Sequence, residues 1–156
     1  MKNEDTPNYL IIFLGSVGLF AMLYLLLSFT LNLIPSNSCD FLNPAINCSA
    51  VVTSGYSHVF GIDWYYYGIA FFSAILVLSV LGIADKKDRN RGTFSSAVLV
   101  LSVFGSFISL YLIYVELFLV HHICILCTTG HAAIFSILAV CIIRSSRLSR
   151  RSQKRA

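Results

Sequence analysis

The sequence has little charge: Asp, Glu, Lys and Arg make up only 12% of its 156 residues, whereas soluble domains carry about 25%. Hydrophobic residues reach 57% and the mean hydropathy is +0.80, which excludes both a soluble domain and a disordered chain. Five cysteines are too few for a disulfide-dense miniprotein, in which cysteine exceeds roughly 8–10%. The sequence therefore predicts a small integral membrane protein, with one domain over residues 1–156.

Basic residues are missing from two long stretches, one between Lys2 and Lys86 and the other between Arg91 and Arg144. Long apolar runs within these stretches are long enough to cross a hydrocarbon core of about 30 Å as helices. The predicted membrane spans are residues 10–31, 64–84, 93–120 and 123–143. The expected fold is therefore an all-α bundle of four transmembrane helices, with an outer loop over residues 32–63 between the first two.

The basic residues also predict the orientation of the bundle. With four spans, all 11 Lys and Arg residues lie on the side that holds both termini, whereas three or five spans would divide them. The positive-inside rule makes that side cytoplasmic. The basic C-terminal tail is expected to contact anionic lipid head groups. The net charge of +4 therefore reflects membrane orientation, and no nucleic-acid partner is expected.

Four of the five cysteines fall on the predicted outer side, where disulfides form and persist. Cys39 and Cys48 lie in the outer loop, and Cys124 and Cys127 form a C-x-x-C sequence where the fourth helix begins. The free N–H groups and the dipole at a helix N-terminus favour a thiolate at the first of these cysteines. Cys141 lies about 21 Å farther along that helix, so no part in the outer chemistry is expected for it.

The face that carries the C-x-x-C sequence continues into the membrane. At helical spacing Cys124, Cys127 and His131 share it, and apolar side chains follow below them: Ile134, Phe135 and Leu138. The pattern indicates a redox pair at the rim of a pocket with an apolar floor. Two cysteine pairs on one side of the membrane suffice for thiol–disulfide exchange, in which one pair takes electrons from an aqueous partner and the other passes them to a membrane acceptor.

Other interpretations of these residues stay open. The loop cysteines could form a static disulfide, and cysteines in apolar helices also serve as small hydrophobic residues. Cys124 and Cys127 with His121 and His122 could bind a metal in a metal-binding or metal-transport protein. Against metal transport, no line of acidic or histidine residues crosses the membrane, since Glu116 is the single carboxylate within a span.

Several short motifs surround the cysteines. They are Cys39-Asp40, the run from Cys48 to Ser54, Val59-Phe60-Gly61-Ile62, Gly68 and Cys124-Ile125-Leu126-Cys127-Thr128-Thr129. In this combination, with C-D-x7-C-S early and C-x-x-C late, the chain resembles the vitamin K epoxide reductase family over most of its length. The other bacterial type of four-helix, quinone-linked thiol oxidase places its C-x-x-C in the first outer loop, so the order of the motifs argues against it.

The resemblance implies a role for each of the four outer cysteines. Cys39 and Cys48 correspond to a shuttle pair in the loop, in which Cys39 exchanges with a partner protein. Cys124 corresponds to the cysteine that exchanges with Cys48, and Cys127 to the one beside the quinone. The catalytic residues expected are therefore these four cysteines.

Three further residues are expected to bind the quinone. Ser54 matches a serine that the family uses near the quinone, and His131 replaces a tyrosine of the animal enzymes and could hydrogen-bond a quinone oxygen. Phe135 continues the same helix face. The asparagine that the animal enzymes place before the second helix has no counterpart at residues 63–65, which argues against epoxide reduction and favours the prokaryotic branch of the family.

The function predicted on these grounds is a quinone-dependent thiol–disulfide oxidoreductase that supports disulfide-bond formation. It would oxidise a separate extracytoplasmic thioredoxin-fold protein, since no fused thioredoxin-like domain is expected, and reduce ubiquinone, menaquinone or vitamin K. No metal or nucleotide is expected to take part. The cell (inner) membrane is favoured over the endoplasmic reticulum, where the alternative function would be reduction of vitamin K epoxide or quinone.

Overall fold

The computed structural model describes residues 6–35, 46–84 and 91–153. Within these residues four helices are long and apolar enough to cross a membrane: Thr6–Thr30, Trp64–Ala84, Gly92–Val120 and Ile125–Ser146. The predicted all-α bundle of four transmembrane helices is confirmed. Helices form here because each backbone N–H and C=O must find a partner within its own segment where lipid replaces water.

The elements follow the chain in a simple order. They are α1 (Thr6–Leu25), α2 (Cys48–Val52), β1 (His58–Val59), β2 (Ile62–Asp63), α3 (Trp64–Ala84), α4 (Arg91–Tyr114) and α5 (Ile125–Gln153). Two π-helical segments, Leu26–Thr30 and Val115–Val120, extend α1 and α4 at their C-terminal ends. His121 then adopts a left-handed conformation, with φ of 58°, which ends the second of these segments before α5 begins.

The four long helices pack as a ring in which each has two main neighbours. Helix α1 packs against α3 and α5, and α4 packs against the same two helices. The buried centre is formed mainly by Ile11, Phe72, Ile75, Val98, Ala133 and Ile137. Many other large apolar side chains point away from this centre, as expected for helices that face lipid.

Residues 46–63, called here the connecting segment, are the part of the predicted outer loop 32–63 that leads into α3 at one end of the bundle. This segment contains the short helix α2 and a hairpin between β1 and β2, each of two residues. Phe60 and Gly61 at its turn have φ of 54° and 77°, as a hairpin with positive φ at both central residues requires. The ring N–H of Trp64 donates to the Tyr56 carbonyl at 3.1 Å, which holds the segment against the start of α3.

At the opposite end of the bundle, Arg144 of α5 donates a hydrogen bond to the side chain of Asn8 on α1. This contact joins the first turn of α1 to the distal part of α5. The beginning of the first span and the end of the last therefore lie on the same side of the bundle.

Helices α1 and α3 approach each other most closely where Gly18 faces Phe72. A Cβ atom at Gly18 would overlap the ring of Phe72, whose side chain is buried. Gly18→Ala should therefore lower the free energy of unfolding by about 1–3 kcal/mol, as overpacking does in well-packed cores. Gly92→Ala is the matched control, because nothing lies within 4 Å of the added methyl group. Unfolding in mixed detergent micelles measures both, and equal stability of the two variants would contradict close packing at Gly18.

Candidate active site

A backbone contact joins the connecting segment to the start of α5. Ile46 and Ile123 form an isolated parallel β-bridge, and the N–H of Asn47 donates to the carbonyl of Ile123 at 3.1 Å. Cys48 lies two residues after Ile46, and Cys124 lies directly after Ile123. Two cysteines far apart in the sequence are thus held side by side by the backbone.

Helix α2 begins at Cys48 because Asn47 caps it. The Asn47 side chain accepts a hydrogen bond from the Ala50 N–H at 2.7 Å, the usual contact of an N-cap residue. Cys48 is completely buried, in a cluster with Leu25, Tyr65 and Cys124. The thiol at position 48 is therefore shielded from water and directed toward α5.

Whereas Cys48 is the first residue of α2, Cys124 lies directly before α5. Its Sγ accepts a hydrogen bond from the Cys127 N–H at 3.3 Å, and its carbonyl accepts one from the Thr128 N–H at 2.9 Å. The side chains of Cys127 and Cys48 both hydrogen-bond the Cys124 thiol. Cys124 is completely buried, so exchange at this sulfur is sheltered from water.

The expected preference for a thiolate at Cys124 needs correction. The pKa of its thiol is raised above the ordinary value, first by the hydrogen bond with the Cys127 thiol and further by burial. The Cys48 side chain and the N–H of Cys127 act in the opposite direction but are outweighed. A helix N-terminus alone is therefore not enough to favour the anion at this position.

A cavity of about 320 Å³ lies in the half of the bundle covered by the connecting segment. Its walls are mainly apolar, and all four long helices contribute to them. Apolar lining residues include Met22, Leu25, Phe71, Phe72, Leu101, Ile108, Leu112 and Ile134. Its size falls at the lower end of the range of about 300–1,000 Å³ for small-molecule sites.

Of the expected site residues, Ser54, Cys127 and His131 line this cavity, whereas Cys48 and Cys124 do not. The Ser54 hydroxyl donates to the Val51 carbonyl at 2.8 Å and keeps its lone pairs for a further contact. The two cysteines of the C-x-x-C sequence therefore face different neighbours. Cys124 faces the connecting segment, and Cys127 faces the cavity.

Two of the expected residues are not brought to this site in the described part of the chain. Cys39 lies outside the described residues. Phe135 is half-buried and does not line the cavity, where Ile134 lies instead. Neighbouring residues on an α-helix are separated by 100°, so Ile134 and Phe135 point in different directions. The rotation of α5 turns Gly130, His131 and Ile134 toward the cavity.

Sequence reasoning missed Glu116 as a site residue. It is buried within the π-helical segment Val115–Val120 and lines the cavity. Its Oε1 lies 3.8 Å from Nε2 of His131, which is buried as well. The available signal was its position as a carboxylate in an otherwise uncharged span, because ionisable residues in spans often mark functional sites.

Among the described residues, no three side chains of His, Cys, Asp or Glu are grouped so that they could hold a metal ion.

Comparison with known families gives a more definite result. Residues 9–142 match the profile of the vitamin K epoxide reductase family. The chain belongs to that family. No individual curated protein matches the chain at a significant level.

Membership of the vitamin K epoxide reductase family makes this chain a multi-pass membrane oxidoreductase linked to quinone. The match includes the connecting segment and all of the cavity-lining residues. The cavity suits a quinone ring in chemical character, because a flat apolar ring needs apolar walls and its two carbonyl oxygens need a few hydrogen-bond donors. His131 has a group of this kind, and the Ser54 hydroxyl becomes one if it gives up its bond to the Val51 carbonyl.

The backbone contact at Asn47 should control how fast Cys48 and Cys124 can be joined. Asn47→Pro removes the N–H that Ile123 accepts, and the φ of −144° at this position does not suit proline. A net hydrogen bond is worth about 0.5–1.5 kcal/mol, so disulfide formation between the two cysteines should slow roughly two- to tenfold. The rate can be followed on non-reducing gels after mild oxidation of a Cys127→Ser background.

Asn47→Ala is the matched control for this change, because it removes the side-chain cap and keeps the backbone N–H. It should slow the reaction less than Asn47→Pro does. Equal rates in the two variants would mean that the N-cap, and not the bridge to Ile123, holds the segment in place.

Proposed function

We propose that the protein is a thiol–disulfide oxidoreductase that takes electrons from an extracytoplasmic protein dithiol and reduces a membrane quinone. The observation that carries this proposal is the order of three thiols, of which the first two are buried. Cys48 contacts Cys124, Cys124 contacts Cys127, and Cys127 lines the cavity. This order gives electrons a continuous path from the connecting segment into the bundle.

The proposed exchange proceeds through disulfides. A partner dithiol reduces a Cys39–Cys48 disulfide and is itself oxidised. The Cys48 sulfur then attacks Cys124 of a Cys124–Cys127 disulfide, and Cys39 resolves the mixed disulfide by attacking Cys48. The loop disulfide forms again, and Cys124 and Cys127 are left as two thiols that hold the two electrons and two protons.

The second half of the reaction returns Cys124 and Cys127 to the disulfide. Two electrons and two protons leave this pair as the S–S bond forms, and a quinone that accepts them becomes a hydroquinone. Cys127 is the member of the pair that reaches the cavity, so it is the thiol expected to face the ring. His131 would orient the ring by a hydrogen bond to one of its oxygens, and Ser54 would donate to an oxygen by giving up its bond to the Val51 carbonyl.

The raised pKa of the Cys124 thiol agrees with this assignment. A pair that stays protonated when reduced carries its protons together with its electrons, so transfer to the quinone creates no net charge in a low-dielectric site. The partner would be a separate thioredoxin-fold protein. Ubiquinone, menaquinone and vitamin K can each accept the two electrons and two protons in the proposed reaction.

Removal of Cys127 should trap the proposed intermediate. In Cys127→Ser, Cys124 has no neighbouring thiol with which to close its own disulfide, and only Cys39 can still release it from Cys48. A Cys48–Cys124 disulfide should therefore accumulate, and turnover with quinone should stop. Proteolysis between the connecting segment and α5, followed by non-reducing electrophoresis, reveals the cross-link. Cys141→Ser is the control, because Cys141 is buried in the core beside Ile137 and Val98 rather than at the cavity.

The proposal fails if Cys127→Ser forms no such link and Cys124→Ser keeps its activity. The first result would show that the two sulfurs do not exchange. The second would show that the C-x-x-C sequence is not on the electron path.

The same proposal requires the connecting segment to face the oxidising side of a cell membrane, with both termini in the cytoplasm. Phe60 is 96% exposed at the hairpin turn, and Ser145 is exposed near the other end of α5. In a background without native cysteines, Phe60→Cys should react in intact cells with a maleimide that cannot cross the membrane. Ser145→Cys should react only after permeabilisation, and the reverse pattern would invert the topology.

A further inference from the structure

Two buried ionisable side chains meet at the cavity, and the thiol relay leaves one of them without a role. Glu116 and His131 are 6% and 7% exposed, and they come from neighbouring helices, α4 and α5. Within the described residues, Nε2 of His131 has no hydrogen-bond partner, and the nearest carboxylate oxygen is 3.8 Å away. The gap is slightly too wide for a direct hydrogen bond and leaves the ring nitrogen available to a ligand.

The local helix geometry brings the carboxylate to this position. Glu116 lies in the π-helical segment Val115–Val120, and segments of this type occur often at functional sites. Val115 and Glu116 are buried there, whereas Leu117, Phe118 and Leu119 are exposed. The single acidic residue of the span is thus turned inward while its apolar neighbours face outward.

The electrostatic surroundings make the two side chains a pair. No Lys or Arg is among the residues that line the cavity, so His131 is the basic group nearest the Glu116 carboxylate there. The other titratable groups that line it are Tyr56, Tyr65, Tyr67 and Cys127. The Glu116–His131 pair can hold one proton in two ways, as a neutral acid beside a neutral imidazole or as a carboxylate beside an imidazolium. Both forms avoid an isolated buried charge.

We propose that Glu116 positions His131 so that the pair delivers a proton to the quinone oxygen that lies away from Cys127. This proposal rests on the proposed quinone reduction and assigns the proton path within it. The oxygens of a quinone lie on opposite sides of its ring, so a single thiol cannot reach both. His131 gives its proton to the far oxygen, and the pair regains one from the protons that the two thiols release.

The balance of the reaction is unchanged by this step. The dithiol loses two electrons and two protons as its disulfide forms, and the same numbers appear in the hydroquinone. The Glu116–His131 pair begins and ends each cycle with one shared proton. Glu116 acts through His131 and is therefore a positioning residue, whereas His131 contacts the quinone.

The test uses the full chain in lipid nanodiscs, with dithiothreitol as electron donor and short-chain ubiquinone and menadione as acceptors. Glu116→Gln keeps the shape of the side chain and removes its charge. Because acid–base groups contribute about 10²–10⁴ in rate and His131 remains in place, kcat should fall roughly tenfold while KM changes by less than about twofold. Glu116→Asp should recover part of the loss.

A double variant separates joint action of the two side chains from two independent structural effects. In a His131→Phe background, Glu116→Gln should have no additional effect on kcat, because the two residues act as one unit. A general loss of structure in Glu116→Gln would instead add to the loss in His131→Phe. Ser79→Ala changes another buried polar side chain, one that does not line the cavity, and should leave kcat unchanged.

Two failures can be told apart in these experiments. If the unmodified protein oxidises dithiothreitol with neither quinone, the proposed function itself is wrong. If it turns over normally and Glu116→Gln has the same kcat and KM, quinone reduction stands and the proton path is wrong. Alkylation of the Cys124 and Cys127 thiols after addition of dithiothreitol should proceed equally in both proteins, and a loss in Glu116→Gln would place the defect in thiol exchange and overturn the proton path.

Discussion

The hydrogen bond from the Asn47 N–H to the Ile123 carbonyl is the contact on which the site depends. It is made by the backbone, so it fixes the relative position of two chain segments whatever their side chains are. Cys48 begins one helix and Cys124 precedes another, and the bridge brings these two helix starts together. Without it, the connecting segment would be tied to the bundle near this point mainly by apolar packing of Val51 and Val52.

The three-residue spacing of the C-x-x-C sequence divides the site into two parts. Cys124 lies with Cys48 in a buried cluster, and Cys127 faces the cavity. The hydrogen bond between the two thiols, together with burial, raises the pKa of Cys124, so this thiol keeps its proton in the reduced pair. In the proposed reaction this favours combined transfer of electrons and protons, because separation of charge in an apolar site is costly.

The sequence predicted the bundle well because membrane spans depend on local composition. Uncharged runs and clustered basic residues identify the four spans, and the second coincides with Trp64–Ala84. The sequence did not predict which side of α5 faces the cavity, since helix rotation depends on neighbours such as Met22, which contacts the backbone at Gly130 closely. Spacing alone placed Ile134 and Phe135 on one face, of which Ile134 lines the cavity and Phe135 does not. The roles of the four cysteines were a prediction from resemblance and stay one.

The position of Glu116 depends on structure that no periodic pattern encodes. Glu116 is the second residue of the π-helical segment Val115–Val120, and the packing of α4 on α5 places its carboxylate 3.8 Å from His131. The left-handed residue His121 then reverses the chain within a few residues, so that Ile123 can reach the connecting segment. The short connection between α4 and α5 therefore sets two positions. One is that of the Glu116 carboxylate, and the other is that of the backbone contact at Ile123. Since both depend on the backbone path of this connection, the proton pair and the thiol relay are geometrically coupled even though they share no side chain.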